Sequence, residues 1–562
     1  MSTIIIFAFA VFTTAFFAPL EVYLGNISNF QIYANSAILV LFLLSVVATL
    51  VASVVLSFLP IKILKTINIA VFAITVCFYI QSLFLNGQVI SLVGEKQVFT
   101  KGATVINILV WLAIIALTFV MWRLLKKTKK EKLFLTAIKF ISLSLVVMQL
   151  VGLTSVYISC DKSTASKNCY FSKEGELEVS GQNNVLYFII DTCSGYIVDA
   201  TLKECPDLFD ELYGFTYYPN ASSTYSRTYP AIPYLLSQEK CYFDLPAPEY
   251  INNAFEKSNF IPTIKSLGAD IRLYTEAAYI GESAKSDIDN IRYTTVDARN
   301  INLMGFIKES AKISLFRGAP YVAKMRFAYT AEGVNRAITS AITDKADIYN
   351  DFAFYQQIQT DKVTVNEEYD AAFRFYHMFG THPGVFIDEN AEYDPDASVT
   401  DALKGIVKIL KEYFQQLKDL GVYDNTTIII TADHGSSSGG ENLEIPQDTS
   451  CLMLVKPANA DSSQKVKVSQ APVCHEDLFA TVIDSLGGDA SGFGRSITEI
   501  GEEEERERLY YYSALYSDSD GEIALVEYAL QGDARSWPNY IATGNYWDIQ
   551  YSMNSVSSKG LK

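Results

Sequence analysis

The chain has 562 residues, 50% of them hydrophobic, and carries 45 basic against 62 acidic side chains, a net charge of −17. That apolar share is too high for an average soluble protein. The acidic balance argues against a nucleic-acid partner, whose phosphates demand Lys and Arg.

The apolar residues are concentrated before residue 160, in five runs: Ile4–Leu20, Ala37–Leu59, Ile67–Leu85, Thr104–Trp122 and Phe140–Ile158. Each is near the ~20 residues that a bilayer core requires. The first lacks the basic n-region and small-residue cleavage site of a signal peptide, so it reads as a retained span. Arg123, Lys126, Lys127, Lys129, Lys130 and Lys132 crowd the turn between spans four and five, and Lys62 and Lys65 lie between spans two and three. The other two loops hold only Lys96 and Lys101. By the positive-inside rule the Lys/Arg-rich turns are cytoplasmic, and everything after Ile158 is expected outside. Residues 1–158 use 11 of the basic and 3 of the acidic residues, leaving 34 and 59, a net −25, for residues 159–562. That charge suits a solvated extracellular domain, and a bound metal can reverse the sign locally. Cys160 and Cys169 flank the stretch just outside span five; paired in an oxidising space or left as two thiols, both readings stay open.

Residues 159–182 are polar and read as a linker. Val185–Ile190 in "NNVLYFIIDTCSG" is a continuous apolar run that ends in Asp191, as a strand buried on both faces would. "RTYPAIPYLLS" has the look of a helix start, with Thr228 as its N-cap and Pro230 in the first turn. The preceding hydroxyls of Ser222, Ser223, Thr224 and Ser226 read as flexible loop. A further strand runs through "FRFYHMFGTHPG" to Gly380–Thr381–His382. A helix over 399–420 follows, with Leu403, Ile406, Val407, Leu410, Phe414 and Leu417 on one face, Ser398 or Thr400 as its cap and Gly421 at its end. Thr427–Thr431 is the next strand, and Asp433–His434–Gly435 comes just after it. Alternating strands and helices indicate an α/β domain with a mainly parallel sheet, whose ligands bind at the carboxyl ends of the strands. Asp191, His382, Asp433 and His434 all fall there. Residues from about 488 are Tyr-rich and strand-like and read as a small β-rich subdomain.

A divalent cation takes carboxylate and imidazole ligands with one position open. Asp433 and His434 can be aimed together by one tight turn, Asp191 adds a third ligand, and the Thr228 hydroxyl a fourth, which would make it usable as a nucleophile. His377, within a strand, reads as a satisfied core histidine. His475, in "VCHEDL", reads as part of a helix's first turn.

These residues resemble the alkaline phosphatase/sulfatase superfamily, and within it the membrane branch of lipoteichoic acid synthases and phosphoethanolamine/phosphoglycerol transferases, which also have five spans before an extracellular catalytic domain. The carriers are "VLYFIIDT", Thr228 followed by "YPAIPYLLS", "TADHG", "HMFGTHPG" and "APVCHEDLFATVIDSLGG". The resemblance implies Asp191, Thr228, Asp433 and His434 as metal ligands, Thr228 as nucleophile and His382 as the histidine that approaches the transferred group. The sulfatase Cys/Ser-x-Pro-x-Arg motif is absent, and "SSSGGENLEIPQDTS" after the Asp-His-Gly holds no histidine, which favours one metal, Mn, Mg or Zn.

The expected organisation is a five-span membrane domain at 1–158, a linker at 159–182, a sulfatase-like catalytic domain at 183–487 and a C-terminal subdomain at 488–562. The expected function is a multi-pass bacterial cell-membrane phosphotransferase. It would move phosphoglycerol or phosphoethanolamine from a phospholipid donor to a cell-surface glycan or polymer through a phospho-threonine. Two alternatives stand beside it: a phosphodiesterase or sulfuric ester hydrolase, and a non-catalytic surface binding protein.

Overall fold

The computed structural model describes residues 2–86, 99–160, 168–294, 296–339, 345–346, 350–382, 384, 387–435, 449–515 and 523–548. The chain forms two compact units, one of residues 1–168 with 293–342, the other of residues 169–292 with 343–562. This division cuts across the sequence boundaries: 293–342, inside the expected catalytic domain, groups with the membrane helices, while 169–182 of the expected linker and all of 488–562 group with the catalytic domain. Cys160 and Cys169 are both free thiols.

In the first unit, five helices are long and apolar enough to cross a membrane: Thr3–Gly25, Ala34–Ser57, Ile61–Leu85, Lys101–Lys127 and Glu131–Ser159. The last two, Lys101–Lys127 and Glu131–Ser159, reach well past their apolar runs because charged residues extend the same helices. Lys65 Nζ pairs with Glu131 Oε2 at 3.0 Å, and Trp122 Nε1 donates to Glu131 Oε1 at 3.2 Å. Inside the bundle, the Gln81 carbonyl accepts from Asn107 Nδ2 (2.7 Å) and Trp111 Nε1 (3.0 Å), which satisfies polar groups that lipid cannot.

The second unit is built on a seven-stranded sheet. Its strands are β1 (Asn183–Ile190), β2 (Thr216–Tyr217), β3 (Ala269–Tyr274), β4 (Ala371–Met378), β5 (Thr426–Thr431), β6 (Met453–Lys456) and β7 (Lys467–Val468). Their order across the sheet is β7-β2-β6-β5-β1-β4-β3. Four neighbouring strands, β5-β1-β4-β3, are parallel, with β3 at the edge. All eight residues of β4 are buried, Arg374 and His377 included, as are the last seven of β1, which is why β1 reads as an unbroken apolar run. Asn184 pairs with Thr426 and with Ala372, so β1, β4 and β5 end at one level.

Five helices matter for the site: α1 (Gly195–Glu204), α2 (Thr228–Ser237), α3 (Asp351–Thr360), α4 (Val399–Asp419) and α5 (Asp477–Ser485). The expected α4 stands. Ser398 Oγ accepts from Asp401 N at 3.1 Å, and the helix closes on Gly421, whose φ of +74° lets Gly421 N and Val422 N reach back to Lys418 O and Leu417 O. After residue 488, strands β8 (Glu507–Leu515), β9 (Ile523–Gln531) and β10 (Tyr540–Asp548) form a separate antiparallel sheet.

The Lys/Arg excess at the turns that hold Lys65 and Lys126–Lys132 predicts that residues after 159 lie outside the cytoplasm. Protease added to intact cells or spheroplasts is expected to remove that domain. Protection until lysis would reverse the orientation.

Candidate functional site

The parallel order β5-β1-β4 delivers three short segments to one place. Asp191 follows β1 directly, Asp433 and His434 lie two and three residues past β5, and His377 is the penultimate residue of β4, paired with Ile189. Among the described residues, ligand atoms of Asp191, His377 and Asp433 lie within 4.8 Å of one another, all buried. His434 Nε2 lies 3.4 Å from Asp433 Oδ2 and 3.9 Å from Asp191 Oδ1. Thr228 Oγ1 is 3.3 Å from the same nitrogen. The structure thus brings together Asp191, Thr228, Asp433 and His434, and adds His377, which the sequence reading set aside as a core histidine.

One residue fixes both carboxylates. Thr192 donates its Oγ1 hydrogen to Asp191 Oδ1 (2.7 Å) and its amide to Asp433 Oδ1 (3.0 Å), while His434 N also donates to that oxygen (2.9 Å). To do this Thr192 holds φ at +60°, a conformation strongly disfavoured for a β-branched residue. Asp433 Oδ2 has no hydrogen-bond partner, nor has His377 Nε2, which lies 3.4 Å from Asp191 Oδ2 without bonding to it. Such orphaned buried atoms are costly. Two carboxylates and two imidazoles with vacant lone pairs pointing into one space fit a divalent cation. Residues 436–448, which contain no histidine, lie outside the described residues.

The histidine tautomers follow from their partners. His434 Nδ1 sits 2.6 Å from Gly435 O, which can only accept, so Nδ1 carries the hydrogen and Nε2 keeps its lone pair for Thr228 or a cation. His377 Nδ1 is held by Thr275 Oγ1 at 3.0 Å. Burial opposes charge on His377, but the facing Asp191 outweighs it and moves the imidazole upward. Burial pushes Asp191 up too, yet the His377 and His434 rings and the Thr192 hydroxyl bring it below its ordinary range. Asp433 goes the other way, raised by burial and then by the Asp191 charge. Two carboxyls in one dry space cannot both ionise freely without a cation.

Thr228 is not an N-cap. Arg227 occupies that position, Tyr229 is non-helical at ψ 116°, and the Thr228 hydroxyl points to His434 instead of the helix amides. It is half-buried beside four buried partners, at the rim of the site. The loop before it is the opposite of flexible: Ser222, Ser223, Thr224 and Ser226 are all buried. Ser222 N donates to Val473 O, Tyr511 N to Thr224 O and Ser513 N to Ser226 Oγ, so this loop is pinned by β8 of the C-terminal sheet. His475 is a tie rather than a helix turn. Its Nδ1 accepts from Thr224 N (3.3 Å) and its Nε2 donates to Ala432 O (2.9 Å), joining the Thr228 loop to the Asp433–His434 turn. His382 stands apart from the converging atoms. It is half-buried, its amide donates to Phe379 O (3.2 Å) and its ring lies 5.2 Å from that of Phe379.

Residues 298–488 match the family model described as Sulfatase. That stretch holds His377, His382, Asp433, His434 and His475 but not Asp191 or Thr228. No curated protein matches the chain. Similar solved structures include an alkaline phosphatase superfamily protein from Vibrio parahaemolyticus (15% identity, 66% of this chain and 80% of that one, TM-score 0.33). A phosphonate monoester hydrolase from Silicibacter pomeroyi matches at 14% identity, over 63% and 87%, with a TM-score of 0.35. A protein of glycosaminoglycan metabolism in Bacteroides thetaiotaomicron matches at 11%, over 64% and 91%, with a TM-score of 0.37. Values this low carry no functional inference.

Two outcomes are expected from the site. Asp433→Asn removes the vacant carboxylate oxygen and should lower divalent metal content, read by elemental analysis, about tenfold or more; wild-type metal content would remove Asp433 from the site. His475, buried to a pKa of about 4, favours the neutral ring in the fold. Its contribution to stability is therefore complete above the unfolded value near 6.5 and is lost as pH falls toward 4, a loss of roughly 3 kcal/mol. Melting of His475→Gln, whose amide can still donate and accept, should lack that component of the pH dependence.

Proposed function

We infer that this Sulfatase-domain chain is a metal-dependent, membrane-anchored phosphotransferase. In this reading it takes a phosphoglycerol or phosphoethanolamine head group from a phospholipid and passes it to a cell-surface glycan or polymer. The observation that carries the reading is the contact between Thr228 Oγ1 and His434 Nε2 at the rim of a buried Asp/Asp/His/His set. A hydroxyl in that position is available to attack, while the sulfatase Cys/Ser-x-Pro-x-Arg motif is absent.

Asp191, Asp433 and His434 would hold the ion, with Thr228 at the open side and His377 Nε2 facing the same space. When bound, a divalent ion would lower the pKa of a neighbouring hydroxyl and offset charge on the phosphoryl oxygens. Thr228 ionises and its proton passes to water, which reaches this half-buried residue. Its Oγ then forms a bond to phosphorus while the bond from phosphorus to the lipid alcohol breaks. His382 gives that alcohol its proton. In the second step the acceptor hydroxyl returns a proton to His382 and attacks phosphorus, and the Thr228 oxygen leaves. Two in-line displacements retain configuration at phosphorus. The N-terminal spans keep the enzyme where lipid donors are concentrated. With water in place of the acceptor the same residues make a phosphodiesterase.

Thr228→Ala is expected to abolish release of a labelled lipid head group, and with it the phospho-threonine adduct seen by mass spectrometry, while metal content persists. Thr228→Ser should keep part of the activity, since the oxygen remains but the β-branched stiffness at χ1 is lost. Wild-type release by the Ala variant would mean that water attacks directly. Release that does not depend on an acceptor would favour the hydrolase.

A further inference from the structure

Residues 293–342 interrupt the catalytic unit in sequence yet fold with the membrane helices. Their main element is the helix Leu303–Gly318. It lies antiparallel to the outer half of the first span. Phe306 stacks on Tyr23 with ring centroids 5.6 Å apart, Ser310 Oγ meets the Tyr23 hydroxyl at 3.3 Å, and Ser314 Oγ donates to Thr14 O. From Phe306 to Ser314 the helix advances about 12 Å, and from Tyr23 back to Thr14 about 13 Å, so the two run side by side. Thr14 is the midpoint of the Thr3–Gly25 span. In the last turn the long Arg317 side chain reaches back to Glu21, Asn86 Nδ2 donates to Arg317 O (2.9 Å) and the Phe78 ring packs on Gly318. The C-terminal turn therefore reaches below the Leu85 end of the third span.

The face packed on the spans is apolar: Phe306, Ile313 and Phe316 are buried. The opposite face is apolar too. Leu303 is 48% exposed, Met304 74%, Ile307 37% and Leu315 41%, with Val322 of the next turn at 66%. A helix that faces water is polar on that side, as α4 is with Lys404, Lys408 and Lys411. Here the charges on the outward side are Lys308 and Lys312, and Lys312 is paired with Glu309 at 3.4 Å; long lysines can reach the headgroup layer while their stems stay in hydrocarbon.

We propose that the 303–318 helix, with Val322, is embedded in the bilayer leaflet at the Gly25 end of the first span, its outward face of Leu303, Met304, Ile307 and Leu315 covered by lipid. The proposal rests on the five helices crossing a membrane, and its occupant is lipid rather than a protein because the exposed face continues the lipid-facing surface of the spans at the same depth. It makes a segment of the catalytic sequence an interfacial anchor.

The test uses full-length protein in vesicles of phosphatidylethanolamine and phosphatidylglycerol. Photoreactive benzoylphenylalanine replaces Met304 or Leu315, and adducts are identified by mass. Leu50, 61% exposed in the second span, is the lipid control, and Tyr196, 72% exposed on α1, the aqueous one. Lipid adducts at 304 and 315 close to the yield at 50, and about tenfold above 196, are expected. Lipid adducts at 50 but none at 304 and 315 would overturn the proposal, as would adducts at 304 and 315 to a second copy of the chain. Absence of lipid adducts at 50 as well would overturn it together with the membrane reading of the helices. Neither result bears on Thr228, whose reaction is read separately.

Discussion

Two buried carboxylates, Asp191 and Asp433, share one small space, and much of the catalytic unit can be understood as the means of holding them there. Their strands are parallel and in register, so their carboxyl ends coincide. Thr192 then bridges the two with its hydroxyl and its amide and accepts a positive φ to do so. The third strand must come just as close. Gly380 follows β4 at φ +62°, and a Cβ there would lie 2.7 Å from Ile190 Cγ2 and 2.8 Å from Asp191 N. Only glycine lets the β4 turn approach the β1 end this closely without strain. A cation is the natural balance for charges brought together in this way.

Thr228 is held by a different part of the chain. Thr228 stands on a loop that gains nothing from the parallel sheet, and its fixity comes from the C-terminal segment. β8 donates two hydrogen bonds to the 222–226 loop, and the buried Arg508 guanidinium donates to Asn220 O (2.6 Å) and Val473 O (3.1 Å). His475 completes the frame by connecting this loop to Ala432. The small C-terminal sheet thus supports the loop that places the Thr228 hydroxyl beside His434.

What could be read in the sequence follows the range of the interactions. The spans, β1, α4 and β5 are recorded locally, as apolar runs or a 3.6-residue period with a cap at each end. Asp191, Asp433 and His434 were legible because they stand at strand ends, where an α/β sheet binds ligands. His377 was not. It occupies an interior position of an all-buried strand, and its use depends on Asp191 being opposite, which is a matter of register between distant segments. The loop at 222–226 was misread because Ser and Thr suggest solvent, whereas here their neighbours are satisfied by residues some 230–290 positions away. The grouping of 293–342 with the spans was equally hidden, since its helix is too polar to resemble a span.

The distinction between carboxylates that hold structure and those that wait for a ligand rests on their oxygens. Asp351, at the start of α3, is fully buried and near the site, and burial raises it to about 7. Yet its two oxygens are occupied, Oδ1 by Phe379 N (3.1 Å) and Oδ2 by Gly380 N (2.9 Å). Asp477 is likewise filled, by Arg506 and by Cys474 N. Asp351 therefore fixes the backbone of the turn that leads to His382. Asp433 differs in having one oxygen bonded by two amides and the other bonded by none. The bonded oxygen sets the direction of the carboxylate, and the vacant one is what the site offers to a metal.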